Sequence, residues 1–260
     1  MTLNSLRIGC VKYLNARPLI RGWPGNVEFD HPAALCHRLA EGQLDVALVS
    51  SFEFLRNPIY RIVDDVSISS HGPVYSVVVA HRGELSDIDE IELDPASTTA
   101  VNLLRCLLAE LGLTPRLVGS SSDSADSSRA RLIIGDQAIR FRQNHGDAFQ
   151  FWDLGEQWKK LTGLPFVYAL WLIRPEIPDA KSIAQRLREL RDENLANIEV
   201  IVSDAADNKQ KITAEFLIRY YNEHLRFGFG TREKKGLETF ADICAKHGVL
   251  AMPVREFNVV

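Results

Sequence analysis

The chain has 260 residues, 46% hydrophobic and 25% charged, with a net charge of −4 and a pI near 6.0. That balance is typical of a globular protein, long enough for one large domain or two small lobes. It offers no basic surface to track a phosphate backbone, so nucleic acid is not expected as a partner. The longest apolar runs, such as Leu164–Ile173, fall well short of the ~20 residues that span a bilayer, so no membrane partner is expected either. The polar start from Met1 to Arg7 lacks the apolar stretch and cleavage site of a secretory signal, so the expected location is the cytoplasm.

Taken in order, Arg7–Val11 reads as a short strand running into Tyr13-Leu14-Asn15. Pro32–Ala40 reads as a helix, with proline in its first turn, Leu35 and Leu39 four apart, and Gly42 just past the end. Val46–Val49 is a buried strand followed at once by Ser50-Ser51. This strand–helix–strand rhythm indicates a parallel α/β sheet. The β-branched run Val74–Ala80 opens a second unit, in which Ser97-Thr98-Thr99 caps a helix reaching about Leu111. Short strands follow at Arg116–Val118 and Leu132–Ile134, separated by the Ser/Asp-rich stretch Gly119–Ser128, which reads as a loop. Asp153 with Glu156 forms a capping box for a short helix closed by Gly163, and Leu164–Ile173 is another long strand. The last third reads as helical over Ala180–Ala205, Ile212–Leu225 and Thr231–Lys246, with Gly248 as the final stop. No internal repeat is visible.

The long strands Val74–Ala80 and Phe166–Ile173 bracket the second unit, the layout of a chain that crosses between two lobes and later returns. A single sheet would give the same pattern. Read as two lobes, residues 1–80 with 170–260 form the first and 81–169 the second. A cleft between them is a natural ligand site.

Candidate chemistry clusters at segment ends. Asn15 follows a buried strand, where α/β sheets place ligands and where turn-forming asparagines also sit. Ser76 lies two residues into its strand, as a packing serine or a hydrogen-bond donor. Ser50-Ser51 and Ser97-Thr98-Thr99 present hydroxyls and helix-start N–H groups that suit an anion, although capping alone accounts for the second set. Asp136, in Ile134-Gly135-Asp136, sits at a strand end as a turn residue or a ligand contact. His71 is either an exposed loop residue or a general base. The cysteines Cys10, Cys36, Cys106 and Cys244 show no paired spacing and read as small buried hydrophobes rather than nucleophiles or ligands. The seven histidines show no metal-ligand spacing, so neither a metal nor a cofactor is expected. No phosphate loop, dinucleotide fingerprint or nucleophile elbow is present.

Seven groups of segments stand out: Ile8–Asn15 with Arg17-Pro18-Leu19, Leu44–Val49 with Glu53, Gly72–Val77, Ile134–Ala138, Asp153-Leu154-Gly155 with Trp158, Thr162–Val167, and Gly236-Leu237 with Phe240. Together they resemble the chorismate dehydratases of menaquinone biosynthesis. They keep the family's order over nearly the whole chain. The resemblance implies an α/β fold of the periplasmic-binding-protein-like type II, with two lobes joined by two crossing segments. It implies a hydro-lyase that converts chorismate to 3-[(1-carboxyvinyl)oxy]benzoate and water, in the futalosine pathway. Carried over residue by residue, it points to Asn15 and Ser76 as catalytic. The family's Ser-x-Thr-Ser anion turn falls on Ser97, Thr98, Thr99 and Ala100, so the last hydroxyl is absent here. The alternatives are the 1,4-dihydroxy-6-naphthoate synthase of the same fold and a non-catalytic binding protein for small carboxylates. A monomer or a homodimer is expected, with chorismate as the small-molecule partner.

Overall fold

The computed structural model describes residues 3–94, 97–119, 130–207 and 212–260. Strand β1 (Ile8–Val11) is buried throughout, which is why it reads as an unbroken apolar run. It lies between β2 (Val27–Asp30) and β3 (Val46–Ser50), parallel to both. Two antiparallel strands, β10 (Phe166–Ile173) and β4 (Arg61–Ser70), complete this sheet in the order β2-β1-β3-β10-β4. The second sheet has the order β7-β6-β8-β5-β9, built from β5 (Val77–His81), β6 (Glu90–Leu93), β7 (Arg116–Gly119), β8 (Ala130–Ile134) and β9 (Gln150–Asp153). Here too the first two pairings, β7-β6 and β6-β8, are parallel, and β5 runs antiparallel to β8 and β9.

The chain therefore passes between sheets at residues 71–76 and back at 163–165. Both crossings come earlier than the sequence reading drew them. Strand β5 pairs in the second sheet rather than the first, and Phe166–Ala169 pairs in the first. An apolar run reports burial but not which neighbour a strand will find.

Helices pack on the sheets: α1 (Arg17–Ile20), α2 (Pro32–Ala40), α3 (Ser51–Arg56), α4 (Thr98–Glu110), α5 (Gly135–His145) and α6 (Leu154–Thr162), then the C-terminal α7 (Ala180–Ala196), α8 (Ile198–Ala205), α9 (Ala214–Arg219) and α10 (Thr231–Lys246). Local signals place several of them. Ser97 Oγ accepts from Ala100 N–H at 3.1 Å, and Asp153 accepts from Gly155 and Glu156 N–H. Gly163 closes α6 in the left-handed conformation at φ +70°. Other segments depart from the reading. The long helix over Ala180–Ala205 breaks at Asn197, whose amide donates to Glu193 O at 2.7 Å. Ile212–Leu225 becomes α9 followed by a π-helical turn, Tyr220–His224. Strands β2, β4, β6 and β9 are additional to the sequence reading; β6, Glu-Ile-Glu-Leu, is short and half polar. Residues 120–128 of the proposed loop lie outside the described residues.

All four cysteines are buried, and Cys106 Sγ meets Cys244 Sγ at 3.5 Å. Burial pushes the Cys36 thiol up to about 12 and that of Cys10 higher still, which fits apolar packing rather than nucleophilic use. Among the described residues no helix is long and apolar enough to cross a membrane.

Candidate active site

Between the sheets lies a narrow cavity of about 60 Å3. The ends of β1, β3, β4 and β8, the start of α4, the first crossing, and Tyr168 and Ala169 of β10 converge on it. Asn15 and Ser76 both line it, although 61 residues separate them in sequence. Ser50, Ser97 and Thr99 line it as well.

Asn15 sits in a single 3₁₀ turn, Leu14–Ala16, that follows β1. Its Oδ1 is buried and has no hydrogen-bond partner among the described residues. A buried amide oxygen without a donor costs free energy unless something arrives to supply one. The turn is held from the other lobe, where Asp136 Oδ1 accepts from Leu14 N–H at 2.9 Å. Burial raises the Asp136 carboxyl above its ordinary value, against the lowering effect of the Leu14 N–H, Arg140 and Arg17. Asp136 is thus occupied in positioning and is not among the lining residues. Its neighbour Gly135 is at φ +60°, and a Cβ there would come within 2.9–3.1 Å of the Tyr13 ring. The lobes meet closely at this point only because the residue is glycine.

Ser76 is fully buried and precedes β5 instead of lying inside it. The residues before it cannot join a ladder, because Tyr75 is left-handed at φ +68° and the N–H groups of Val74 and Tyr75 point at Asp153. A left-handed tyrosine is costly and persists only where its surroundings over-determine it. Asp153 does so: Oδ1 accepts from Val74 N–H at 3.0 Å and Oδ2 from Tyr75 N–H at 2.8 Å, while the same carboxylate caps α6. Arg142 Nη1 lies 3.6 Å from Asp153, and its guanidinium stacks over the Tyr75 ring at 4.2 Å. Burial raises the Asp153 carboxyl, with the N–H donors and Arg142 pulling the other way. Ser76 Oγ itself accepts from Tyr220 Oη at 2.7 Å.

The remaining hydroxyls bridge the lobes. Thr99 Oγ1 hydrogen-bonds Ser50 Oγ and accepts from Phe52 N–H at 3.2 Å. Neither Ser51 nor Thr98 lines the cavity; the Ser51 hydroxyl sits behind Thr99, 3.4 Å from its Oγ1, and donates to Val167 O at 2.7 Å. His71 is also outside: Nε2 lies 3.3 Å from Gly163 O and 3.2 Å from an Arg232 Nη2. A larger open groove of about 500 Å3 lies outside the Tyr13 turn, and its Arg17 and Arg21 are already engaged with Asp204.

A family model described as menaquinone biosynthesis matches residues 6–246. The chain belongs to the menaquinone-biosynthesis family. A relative from Thermus thermophilus, named chorismate dehydratase, is 30% identical over 90% of this chain and 93% of its own. A crystal structure of an Archaeoglobus fulgidus protein superposes with a TM-score of 0.70 at 17% identity, covering 94% of this chain and 98% of that one. The periplasmic aliphatic sulphonate binding protein SsuA of Escherichia coli gives 0.65 at 15% identity, covering 97% and 90%. The fold is periplasmic-binding-protein-like, with two α/β lobes.

In this member of the menaquinone-biosynthesis family, sequence reasoning overlooked Tyr168 and Tyr220 and gave Asp153 a place in a matched segment but no role beyond a helix cap. Tyr168 lines the cavity and its Oη lies 3.2 Å from Ser70 Oγ. A Cβ on Gly155 would lie 2.6 Å from that Tyr168 oxygen, from Ser70 Oγ and from Gly72 O, so the Asp153-Leu154-Gly155 segment packs directly against the crossing. The Gly72–Val77 and Asp153–Gly155 segments stand out in the sequence as separate matches. That they form one unit is visible only in space.

Proposed function

We propose that the protein is a chorismate dehydratase, a cytoplasmic hydro-lyase converting chorismate to 3-[(1-carboxyvinyl)oxy]benzoate and water on the futalosine route to menaquinone. The cavity lining carries this reading. It combines hydroxyls with an unpartnered amide oxygen, and no carboxylate, histidine or lysine is present among the described residues that line it. Neutral donors suit a ring bearing two carboxylates, because they can stabilise charge that develops there without a fixed counter-ion. The name of the Thermus relative supports the same substrate.

Removing the ring C3 proton moves charge into the conjugated ring carboxylate. Ser76, with Ser97 and Thr99, supplies hydroxyl donors to the carboxylates. Asn15 Oδ1 accepts from the C4 hydroxyl and holds it in place to leave. Burial pushes the Tyr13 phenol up to about 12 and also raises that of Tyr168 well above its ordinary value, so both keep their protons. The lining thus offers no base for neutral pH, and the substrate's own enolpyruvyl carboxylate takes the C3 proton. The C4–O bond breaks as the C3–C4 π bond forms, the ring becomes aromatic, and hydroxide with the proton leaves as water. At about 60 Å3 the cavity is small, well under the ~300 Å3 lower end of small-molecule pockets. Chorismate therefore enters when the lobes part, breaking the Thr99 and Asp136 contacts across the cleft.

The test is to mix purified protein with chorismate, follow the ultraviolet change as the ring aromatises, and weigh the product. Ser76→Ala should lower kcat by about a hundredfold, as loss of one oxyanion donor does elsewhere, and Asn15→Ala, which frees the leaving hydroxyl, by about a hundredfold through lost orientation. Full turnover in both folded variants overturns the site. Tight binding of chorismate without a product one water lighter marks a binding protein, and formation of 1,4-dihydroxy-6-naphthoate from its own precursor marks the sister enzyme.

A further inference from the structure

Resting on that reading of Asn15 and Ser76, one feature outside the cavity reaches both residues. The π-helical turn Tyr220–His224 begins with two consecutive buried tyrosines. Tyr220 Oη donates to Ser76 Oγ at 2.7 Å, and Tyr221 Oη donates to Leu14 O at 2.9 Å, one residue before Asn15. Isolated π turns are rare and recur at functional sites because the widened turn redirects neighbouring side chains. The first crossing is held twice more, once from α9 and once from the same turn. Phe216 packs on the Tyr75 ring at 5.1 Å, and His224 Nδ1 meets Pro73 O at 3.0 Å.

Burial raises both phenols far above their ordinary values, so each keeps its proton and acts as a donor. Ser76 Oγ already accepts from Tyr220, and among the described residues its own proton finds only Val74 O at 3.5 Å, the outer limit of a hydrogen bond. That hydroxyl is left to donate toward the cavity. We propose that Tyr220 and Tyr221 are positioning residues, Tyr220 setting Ser76 as a donor to the substrate and Tyr221 fixing the turn that carries Asn15. Neither touches substrate.

A double-mutant cycle tests this, with kcat, KM and thermal midpoint measured for each variant. Tyr220→Phe keeps the packed ring and removes only the donor. It should lower kcat about tenfold with KM changed less than about threefold, a fraction of the loss of a direct donor. In a Ser76→Ala background the same change should cost less than about twofold, because residues acting through one group are not additive. Tyr221→Phe measured against Asn15→Ala gives a second arm that does not depend on how well Tyr220→Phe folds. Wild-type kcat in both phenylalanine variants, or equal losses in the wild-type and alanine backgrounds, overturns the proposal and leaves the site reading standing. Full activity of Ser76→Ala and Asn15→Ala instead removes the site reading and this proposal with it.

Discussion

The two sheets repeat one strand order, β2-β1-β3-β10-β4 in the first and β7-β6-β8-β5-β9 in the second, yet they build their walls of the cleft differently. After its first parallel strand the second lobe carries α4, 13 residues long and capped by its own Ser97. At the equivalent place the first lobe has a three-residue 3₁₀ turn and a four-residue helix, too short to hold a shape unaided. That turn takes its support from elsewhere, through Asp136 across the cleft and Tyr221 from the C-terminal region. The crossings differ in the same sense: the left-handed Tyr75 depends on Asp153, whereas the return crossing starts at a glycine that adopts its conformation freely. The lesson is that the wall carrying Asn15 and the crossing carrying Ser76 are shaped by hydrogen bonds from distant residues, while the α4 wall shapes itself.

The hardest way to break that contrast is Asp153→Asn, which keeps the size of the side chain and exchanges one acceptor oxygen for a donor facing the crossing. A loss of about 3 kcal/mol in urea denaturation is expected, from unsatisfied buried N–H groups, and turnover should fall with it as Ser76 shifts. A cost below about 1 kcal/mol would show that the crossing holds itself. Asp136→Asn should separate rate from folding. With its Leu14 contact weakened, kcat should drop about tenfold while stability changes by about 1 kcal/mol; equal effects on both would make Asp136 merely structural. Ser97→Ala is the control on the self-supporting side, expected to cost about 1 kcal/mol of stability, as for other lost caps, with kcat changed less than threefold.

A smaller, pH-dependent difference sharpens the comparison further. In the first lobe Asp45 is lowered despite its burial, because the Arg7 side chain and N–H bind its carboxylate. Asp136 in the second lobe is raised by burial. A lowered carboxyl adds stability that is present above its unfolded pKa of about 3.9 and is lost as pH falls through the folded value. The raised one binds its proton more tightly when folded, so its contribution is greatest in acid and declines as pH rises past about 3.9. The stability gap between wild type and Asp45→Asn should therefore narrow in acid, and the gap to Asp136→Asn should widen. Parallel pH curves for the two variants contradict the assignment.

Much of the architecture was legible beforehand. Pro32–Ala40 forms the helix its proline, leucine spacing and terminal glycine predict, and the Ser97 and Asp153 caps sit where the residues place them. These signals are local, satisfied within one turn of helix. The sequence reading failed where the partner is distant. Nothing near Asp136 announces the N–H of Leu14, 122 residues away, and nothing near Tyr220 announces Ser76, 144 away. The repeated strand order also left no trace as a repeat, since topology constrains burial and direction but not residue identity.

By itself, then, the sequence determined the α/β class, most helix ends and the family, because caps, apolar periodicity and a series of ordered motifs survive without coordinates. Tertiary structure alone decided that Asn15 and Ser76 share a cavity, which hydroxyls face it, and which carboxylates hold its walls. Those facts depend on hydrogen bonds between residues far apart in the chain, and their geometry exists only once both sheets are paired and closed on each other.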